Sequence, residues 1–215
     1  MSARPEPEGP PGTRLLLVRH AQSAWNAEGR WQGWADPPLS DLGRRQSHAA
    51  AMTLSRRERP VDVVVASDLE RAVATAAVFT RVLGLGPVEV EAGLRERDVG
   101  DFTGLTRAEI EARWPGMVGS FVQTSPPGGE TADQVLGRAL PAIHRVAARH
   151  PGRDVLVVSH GGVIRNLEHH LGGEAHPLPN LGGVGVAVLD GTLKLLDRVL
   201  LVDPDQVAVT VPRQL

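Results

Sequence analysis

The feature that most constrains this chain is a set of short apolar runs, each stopping at a reactive polar residue. Residues 15–18 run straight into Arg19-His20, residues 61–66 into Ser67-Asp68, and Asp154–Ser159 into His160-Gly161-Gly162. Runs this short and rich in Val and Leu, the first of them continuously apolar, read as buried strands. Residues 88–90 add a third, shorter strand between the second and the last of these.

Between the strands the spacing turns helical. Ser40 predicts a cap for a helix to about Leu54, and Ser67-Asp68 a cap for a helix to about Leu83. Residues 131–150 form the longest predicted helix, stopped by Pro151-Gly152, with a kink or break expected at Pro141. A polar loop is expected after His20, a glycine-punctuated loop over 92–104, a short helix over 106–114, a Pro/Gly-rich passage over 115–129 and a helix over 163–171. Residues 184–189 and 193–202, joined by Asp190-Gly191, read as a closing hairpin.

Strands alternating with helices predict an α/β fold: a single-domain, three-layer sandwich with a mostly parallel central sheet, helices on both faces and an antiparallel finish. At 215 residues one core suffices, and the domain is expected over 14–203 between an N-terminal tail, 1–13, and a C-terminal tail, 204–215.

Composition narrows the function classes. A formal charge of −2 gives no broad positive field, so neither nucleic acid nor an anionic membrane is expected as partner, and no apolar run approaches spanning length. The absence of cysteine removes disulfides, thiolate nucleophiles and Cys-ligated zinc together. The proline-bearing N-terminal tail lacks the apolar segment of a signal peptide, so a cytoplasmic location is expected.

Open α/β sheets bind ligands outside the carboxyl ends of their strands. Those ends hold Arg19 and His20, then Ser67 with Arg71 one turn on, then His160 with Gly161 and Gly162. Two arginines and two histidines converging on one crevice suit a phosphate. Guanidinium presents a planar fork of donors matching phosphate oxygens, and neutral imidazole can attack phosphorus. Arg71 also opposes the positive end of its own helix dipole, a conflict that a bound anion relieves. Gly161 and Gly162 let the backbone approach closely and open a helix whose free N–H groups face the same anion.

These residues carry a family resemblance. Leu17-Val18-Arg19-His20-Ala21-Gln22-Ser23-Ala24-Trp25-Asn26 is similar to the nucleophile motif of the histidine phosphatase superfamily, the group that includes cofactor-dependent phosphoglycerate mutases. The stretch from Gln32-Gly33-Trp34 to Ser40, then Ser67-Asp68-Leu69-Glu70-Arg71-Ala72, Leu94-Arg95-Glu96 and Val158-Ser159-His160-Gly161-Gly162 resemble its later motifs in the family's order. The resemblance implies a phosphomonoester hydrolase with His20 as the phosphorylated nucleophile and Glu96 as general acid, then base. It implies that Arg19, Arg71 and His160 clamp the phosphoryl group, with Asn26, Gln32, Gly33 and the Gly161 N–H as secondary phosphate contacts. No cofactor and no metal are implied, since the cations of the protein occupy the place of divalent ions. The implied partner is a small-molecule phosphate ester, a sugar phosphate or phosphoglycerate-like compound; such proteins are often homodimers.

Several points stay open on the sequence. Ala21 stands where the family usually has glycine, Asp98 and Asp101 rival Glu96, and Trp25, Trp31 and Trp34 serve either to wall the pocket or to anchor a loop. Residues 100–129, with Phe102, Trp114 and Phe121, are expected to cap the pocket and select the leaving group, and Pro126 to Glu130 to form a structural turn. His169 and His170 are adjacent, so they lie on different helix faces and read as surface. Two other functions share these residues: a phosphoglycerate-type phosphomutase and a noncatalytic phospholigand-binding module. The stretch between Glu96 and His160 is short beside the mutases, which favours the phosphatase. Pro179-Asn180-Leu181-Gly182-Gly183 is similar to a stretch in actinobacterial phosphatases acting on glycosylated phosphoglycerate.

Overall fold

A computed structural model describes residues 12–118, 125–174, 176–204 and 207–208. Six strands make one sheet in the order β3-β2-β4-β1-β5-β6, with β1 Thr13–Arg19, β2 Val63–Ala66, β3 Glu89–Val90, β4 Asp154–Ser159, β5 Gly182–Leu189 and β6 Thr192–Leu200. The first four strands run parallel; β5 is antiparallel to β1, and β6 to β5. This is the predicted α/β sandwich with its antiparallel finish. Asp190 and Gly191 both have positive φ (48° and 76°), the turn geometry that matches the twist of a two-strand hairpin.

The two faces of the sheet separate cleanly. Val18, Val64, Leu156 and Val158 pack against α2 (Asp41–Ser55) and α3 (Glu70–Leu83), where Ala50, Ala51, Ala72 and Ala76 are fully buried beside Phe79. Leu15, Leu17, Val65, Val155 and Val157 pack on the opposite face against α5 (Ala132–Arg149) and α6 (Gly161–His170) through Ile143, Val146, Ile164 and Leu167. Alternate side chains of one strand thus feed two cores, which explains the unbroken apolar runs. Each fully buried Leu or Val contributes about 1.5–3 kcal/mol relative to exposure.

The local detail differs from expectation in three places. A short helix, α1 (Ala24–Glu28), replaces the polar loop after His20; Ser23 caps it, and Asn26 completes a capping box. Next, α3 begins at Glu70 with Leu69 at its N-cap and no side-chain cap, because Asp68 is engaged by Arg95 (Nε to Oδ1, 2.8 Å). Asp36, distant in sequence, accepts the Glu70 N–H at 2.8 Å in its place. Finally, beyond a short helix, α4 (Arg107–Arg113), α5 runs unbroken through Pro141. Pro141 and Gly137, whose carbonyl loses its helical donor, are both exposed, so water can satisfy that carbonyl. The buried stripe Val135, Ala139, Ala142, Ile143 and Val146 spans both halves and holds them on the sheet.

Thr13 is already in β1, paired with Val188, while Val207 packs on the α2/α3 core. The rest of the N-terminal tail up to residue 11, Phe121 and most of the C-terminal tail lie outside the described residues.

Candidate active site

β1 and β4 are parallel neighbours whose last residues, Arg19 and Ser159, share a register, so His20 and His160 leave the sheet side by side. The His20 N–H extends the ladder by one bond to the Ser159 carbonyl, 2.9 Å. The two rings stand with centroids 5.1 Å apart at 61°, and both residues are buried. Both β1 and β2 flank β4, so α3, which follows β2, delivers Arg71 to the same place.

Arg71 Nε donates to His20 Nε2 at 3.3 Å, and His20 Nδ1 lies 2.7 Å from the Ala21 carbonyl. Guanidinium can only donate and a carbonyl can only accept, so the two bonds together assign one tautomer: proton on Nδ1, lone pair on Nε2. Burial, followed by the charges of Arg71 and Arg19, holds His20 well below its ordinary 6.5, with the Ala21 carbonyl pulling weakly the other way. His160 is held low by burial first, then by Arg71, His20, Arg138 and Arg19. Neither ring nitrogen of His160 has a hydrogen-bond partner among the described residues, although both atoms are buried. That is an unmet demand for a ligand.

The two arginines are buried as well. Arg71 donates from Nη1 to the Ala35 carbonyl (2.7 Å) and from Nη2 to the Gly33 carbonyl (2.8 Å), with Asp36 at 3.6 Å; Arg19 Nη1 donates to the Leu178 carbonyl at 2.8 Å. Burial lowers both guanidiniums to about 10, opposed by Glu96 in each case, so both remain charged at neutral pH. Neutral carbonyls are poor compensation for buried charge, so this pair favours an anion between them.

Glu96 enters from the loop after a 3-10 turn at Ala92–Leu94. Its Oε1 accepts the Arg97 N–H (2.8 Å) and its Oε2 the N–H of Gly162 (3.3 Å), at the start of α6. A Cβ on Gly162 would lie 2.3 Å from Glu96 Oε1, so any larger residue there has to displace the carboxylate. Arg138 holds the loop from behind, donating to the carbonyls of Gly93 (3.0 Å), Arg95 (2.6 Å) and Glu96 (2.8 Å) while paired with Glu130. Trp34 Nε1 also donates to the Glu96 carbonyl, 2.7 Å. The rival carboxylates stand elsewhere: Asp98 closes its own loop onto the Gly100 N–H, and Asp101 is exposed.

Asn26 and Gln32, both buried, belong to a network around Ser23: the Ser23 hydroxyl donates to Gln32 Oε1 (2.6 Å) and accepts from the Asn26 N–H (3.1 Å). Gly33 serves Arg71 through its carbonyl, and a side chain added at Gly161 would meet Arg19, its Cβ 3.5 Å from Nε. Ala21 does not have positive φ; its N–H donates to Thr75 Oγ1 at 3.1 Å, so alanine is accommodated without strain. Trp31 is buried with Val99, Phe102 and Ile110 and anchors its loop, whereas Trp34 is 41% exposed beneath the Arg95 guanidinium. The turn before α5 is structural: the Glu130 N–H donates to the Asp98 carbonyl, and its carboxylate accepts the Asp98 N–H. His169 and His170 are exposed, and no group of three or more potential ligands among the described residues could hold a metal ion.

Sequence reasoning missed Arg138 and Thr75, and it quoted Asn180 only within the stretch from Pro179 to Gly183, with no role at the site. Asn180 Nδ2 donates to the His20 carbonyl at 2.7 Å across a separation of 160 residues, and no local pattern signals such a contact.

The chain is similar to proteins already known. The profile of the histidine phosphatase superfamily (branch 1) matches residues 15–185. A metal-independent phosphoserine phosphatase of Arabidopsis thaliana is 38% identical over 160 residues, covering 72% of this chain and 67% of its own. A glucosyl-3-phosphoglycerate phosphatase of Mycolicibacterium vanbaalenii is 38% identical over 185 residues, 81% of each chain. The solved structure of a mycobacterial glucosyl-3-phosphoglycerate phosphatase in complex with VO3 superposes with a TM-score of 0.76 at 33% identity, covering 88% of this chain and 99% of the other. The chain therefore belongs to the histidine phosphatase superfamily, in its phosphatase branch.

Proposed function

We propose that this phosphatase passes the phosphoryl group through His20 Nε2 and acts on a small phosphoglycerate-like or sugar phosphate ester. The observation that carries this reading is a buried, neutral His20 whose Nε2 lone pair is turned towards Arg71. In the first step the lone pair forms a bond to phosphorus as the ester P–O bond breaks, and Glu96 gives a proton to the leaving oxygen. In the second, water attacks phosphorus, Glu96 takes the proton, and the P–N bond breaks to return neutral His20. Arg19, Arg71 and His160 are the donors for the equatorial oxygens, with the Gly161 N–H, Asn26 and Gln32 as further contacts. Arg71 Nε moves from Nε2 to a phosphoryl oxygen as substrate enters, which frees the lone pair.

Support for a substrate bearing a second anionic group comes from the names of the relatives and from a third cation. Arg165, partly buried on the first turns of α6, is close enough to act electrostatically on both Arg19 and Glu96. No helix among the described residues is long and apolar enough to cross a membrane, and we take the enzyme to work on diffusible esters in the cytoplasm, with a homodimer as the assembly to seek by sedimentation.

The test is hydrolysis of p-nitrophenyl phosphate with and without chelator, alongside a phosphate-release panel of phosphoglycerates and sugar phosphates. Chelator-insensitive turnover, abolished by His20→Ala, and an acid-labile phosphoenzyme are expected. Turnover that survives His20→Ala overturns the reading, and isomerisation of phosphoglycerate in preference to phosphate release would make the protein a mutase.

A further inference from the structure

We infer that Asn180 is a positioning residue that fixes which end of the Asn26 carboxamide meets the phosphoryl group. The inference rests on the reading that this group docks at His20. Asn180 lies just ahead of β5 and is 1% exposed. Its Nδ2 donates to the His20 carbonyl at 2.7 Å and to Asn26 Oδ1 at 3.3 Å. Turning this amide over would set its oxygen against two other oxygens, so the orientation is forced. The opposite end shows the cost: Asn180 Oδ1 is buried without a partner among the described residues. A buried acceptor left unpaired is tolerated where the other end of the amide is strongly held.

The consequence lies one residue further on. Asn26 Oδ1 receives two donors, Nδ2 of Asn180 and the N–H of Ser23, each at 3.3 Å. With its oxygen committed, the end of Asn26 left for an oxyanion is the NH2 group. Gln32 is set the same way, since its Oε1 accepts the Ser23 hydroxyl at 2.6 Å and leaves Nε2 as the available end. Without Asn180, one of the two donors that hold Asn26 is gone, and the amide can turn its oxygen towards the phosphoryl oxygens, where it repels them.

The backbone is shaped for this placement. Leu181 adopts φ 60°, the left-handed region that a bulky residue rarely enters, and is one of two described non-glycine residues with positive φ. Its N–H donates to the Arg19 carbonyl at 3.0 Å, and its carbonyl accepts from Leu201 at 3.1 Å. The strained turn is thus pinned on both sides, directly beside the residue that reaches His20.

A double-mutant cycle tests this. Asn180→Ala, Asn26→Ala and the pair are compared by kcat/KM on p-nitrophenyl phosphate and by inhibition constants for vanadate, with melting temperatures alongside. If the two residues act as one unit, each single change lowers kcat/KM by roughly tenfold or more, and the pair is little worse than either alone. Vanadate inhibition weakens in parallel. Effects that multiply in the double variant, or an Asn180→Ala enzyme altered only in melting temperature, overturn the inference. Should Asn180→Ala fail to fold, Asn180→Ser enters the same cycle. His20→Ala runs as the reference: if it stays active, the docking site itself is misplaced, whereas a dead His20→Ala with a multiplicative cycle refutes the role of Asn180 alone.

Discussion

Arg71 Nε donates to His20 Nε2 at 3.3 Å, so one cation, together with the Ala21 carbonyl at Nδ1, holds the tautomer that keeps a lone pair on Nε2. The other nitrogens of Arg71 are committed to the carbonyls of Ala35 and Gly33, which fix the plane of the fork. Lysine carries the charge but cannot make the three bonds at once. Arg71→Lys is expected to lower kcat/KM by about 10²–10³, the magnitude for one lost transition-state donor. Steady-state kinetics on p-nitrophenyl phosphate check this, with circular dichroism to confirm the fold.

Both buried histidines titrate below their ordinary value, which makes stability depend on pH. The unfolded chain takes up a proton near 6.5, while the folded chain resists it until well below, so the unfolded state binds more protons in that window. Stability is therefore full above pH 6.5 and declines as pH falls towards the folded values, by about 1 kcal/mol per pH unit for each histidine. Melting temperature measured from pH 8 to pH 5 should drop on the acid side, and His160→Asn should flatten the slope. Inorganic phosphate should oppose the drop, because an anion between the rings favours their charged forms.

Gly162 touches Glu96 so closely that a Cβ would lie 2.3 Å from its Oε1. Gly162→Ala is expected to push the carboxylate aside and cut kcat by tenfold or more on the order of a lost general acid. Since the glycine sits in a helix, where alanine is intrinsically favoured, the melting temperature should change far less than the activity. A fall in both together would mean the helix start, and not the carboxylate, had moved.

Arg138 holds three carbonyls of the Glu96 loop and is itself fixed by Glu130. Arg138→Lys should loosen the loop without removing the carboxylate. Because a poor leaving group depends on the proton more than a good one, the loss should be larger for an alkyl phosphate than for p-nitrophenyl phosphate. Equal losses on both substrates would show that the loop serves binding and not proton transfer.

The paired runs of buried strand, the cap at Ser40 and the Asp190-Gly191 hairpin were legible because each depends on neighbours within a few positions. The short helix after Ser23 carried a readable signal too, in the Ser23/Asn26 capping box. The cap of α3 did not, since its acceptor is Asp36 rather than the adjacent Ser67 or Asp68.

What the sequence determined alone was the alternation of strand and helix, and hence that Arg19, His20 and His160 lie at strand ends, and Arg71 at the start of the helix after one, on one side of a parallel sheet. Only the tertiary structure decided the tautomer of His20, the meeting of Glu96, rather than Asp98 or Asp101, with the Gly162 N–H, and the reach of Asn180 to His20 from 160 residues away. The reason is physical: periodicity and capping are fixed by atoms a turn apart, whereas these contacts exist only once the strand order has brought distant segments within hydrogen-bonding distance.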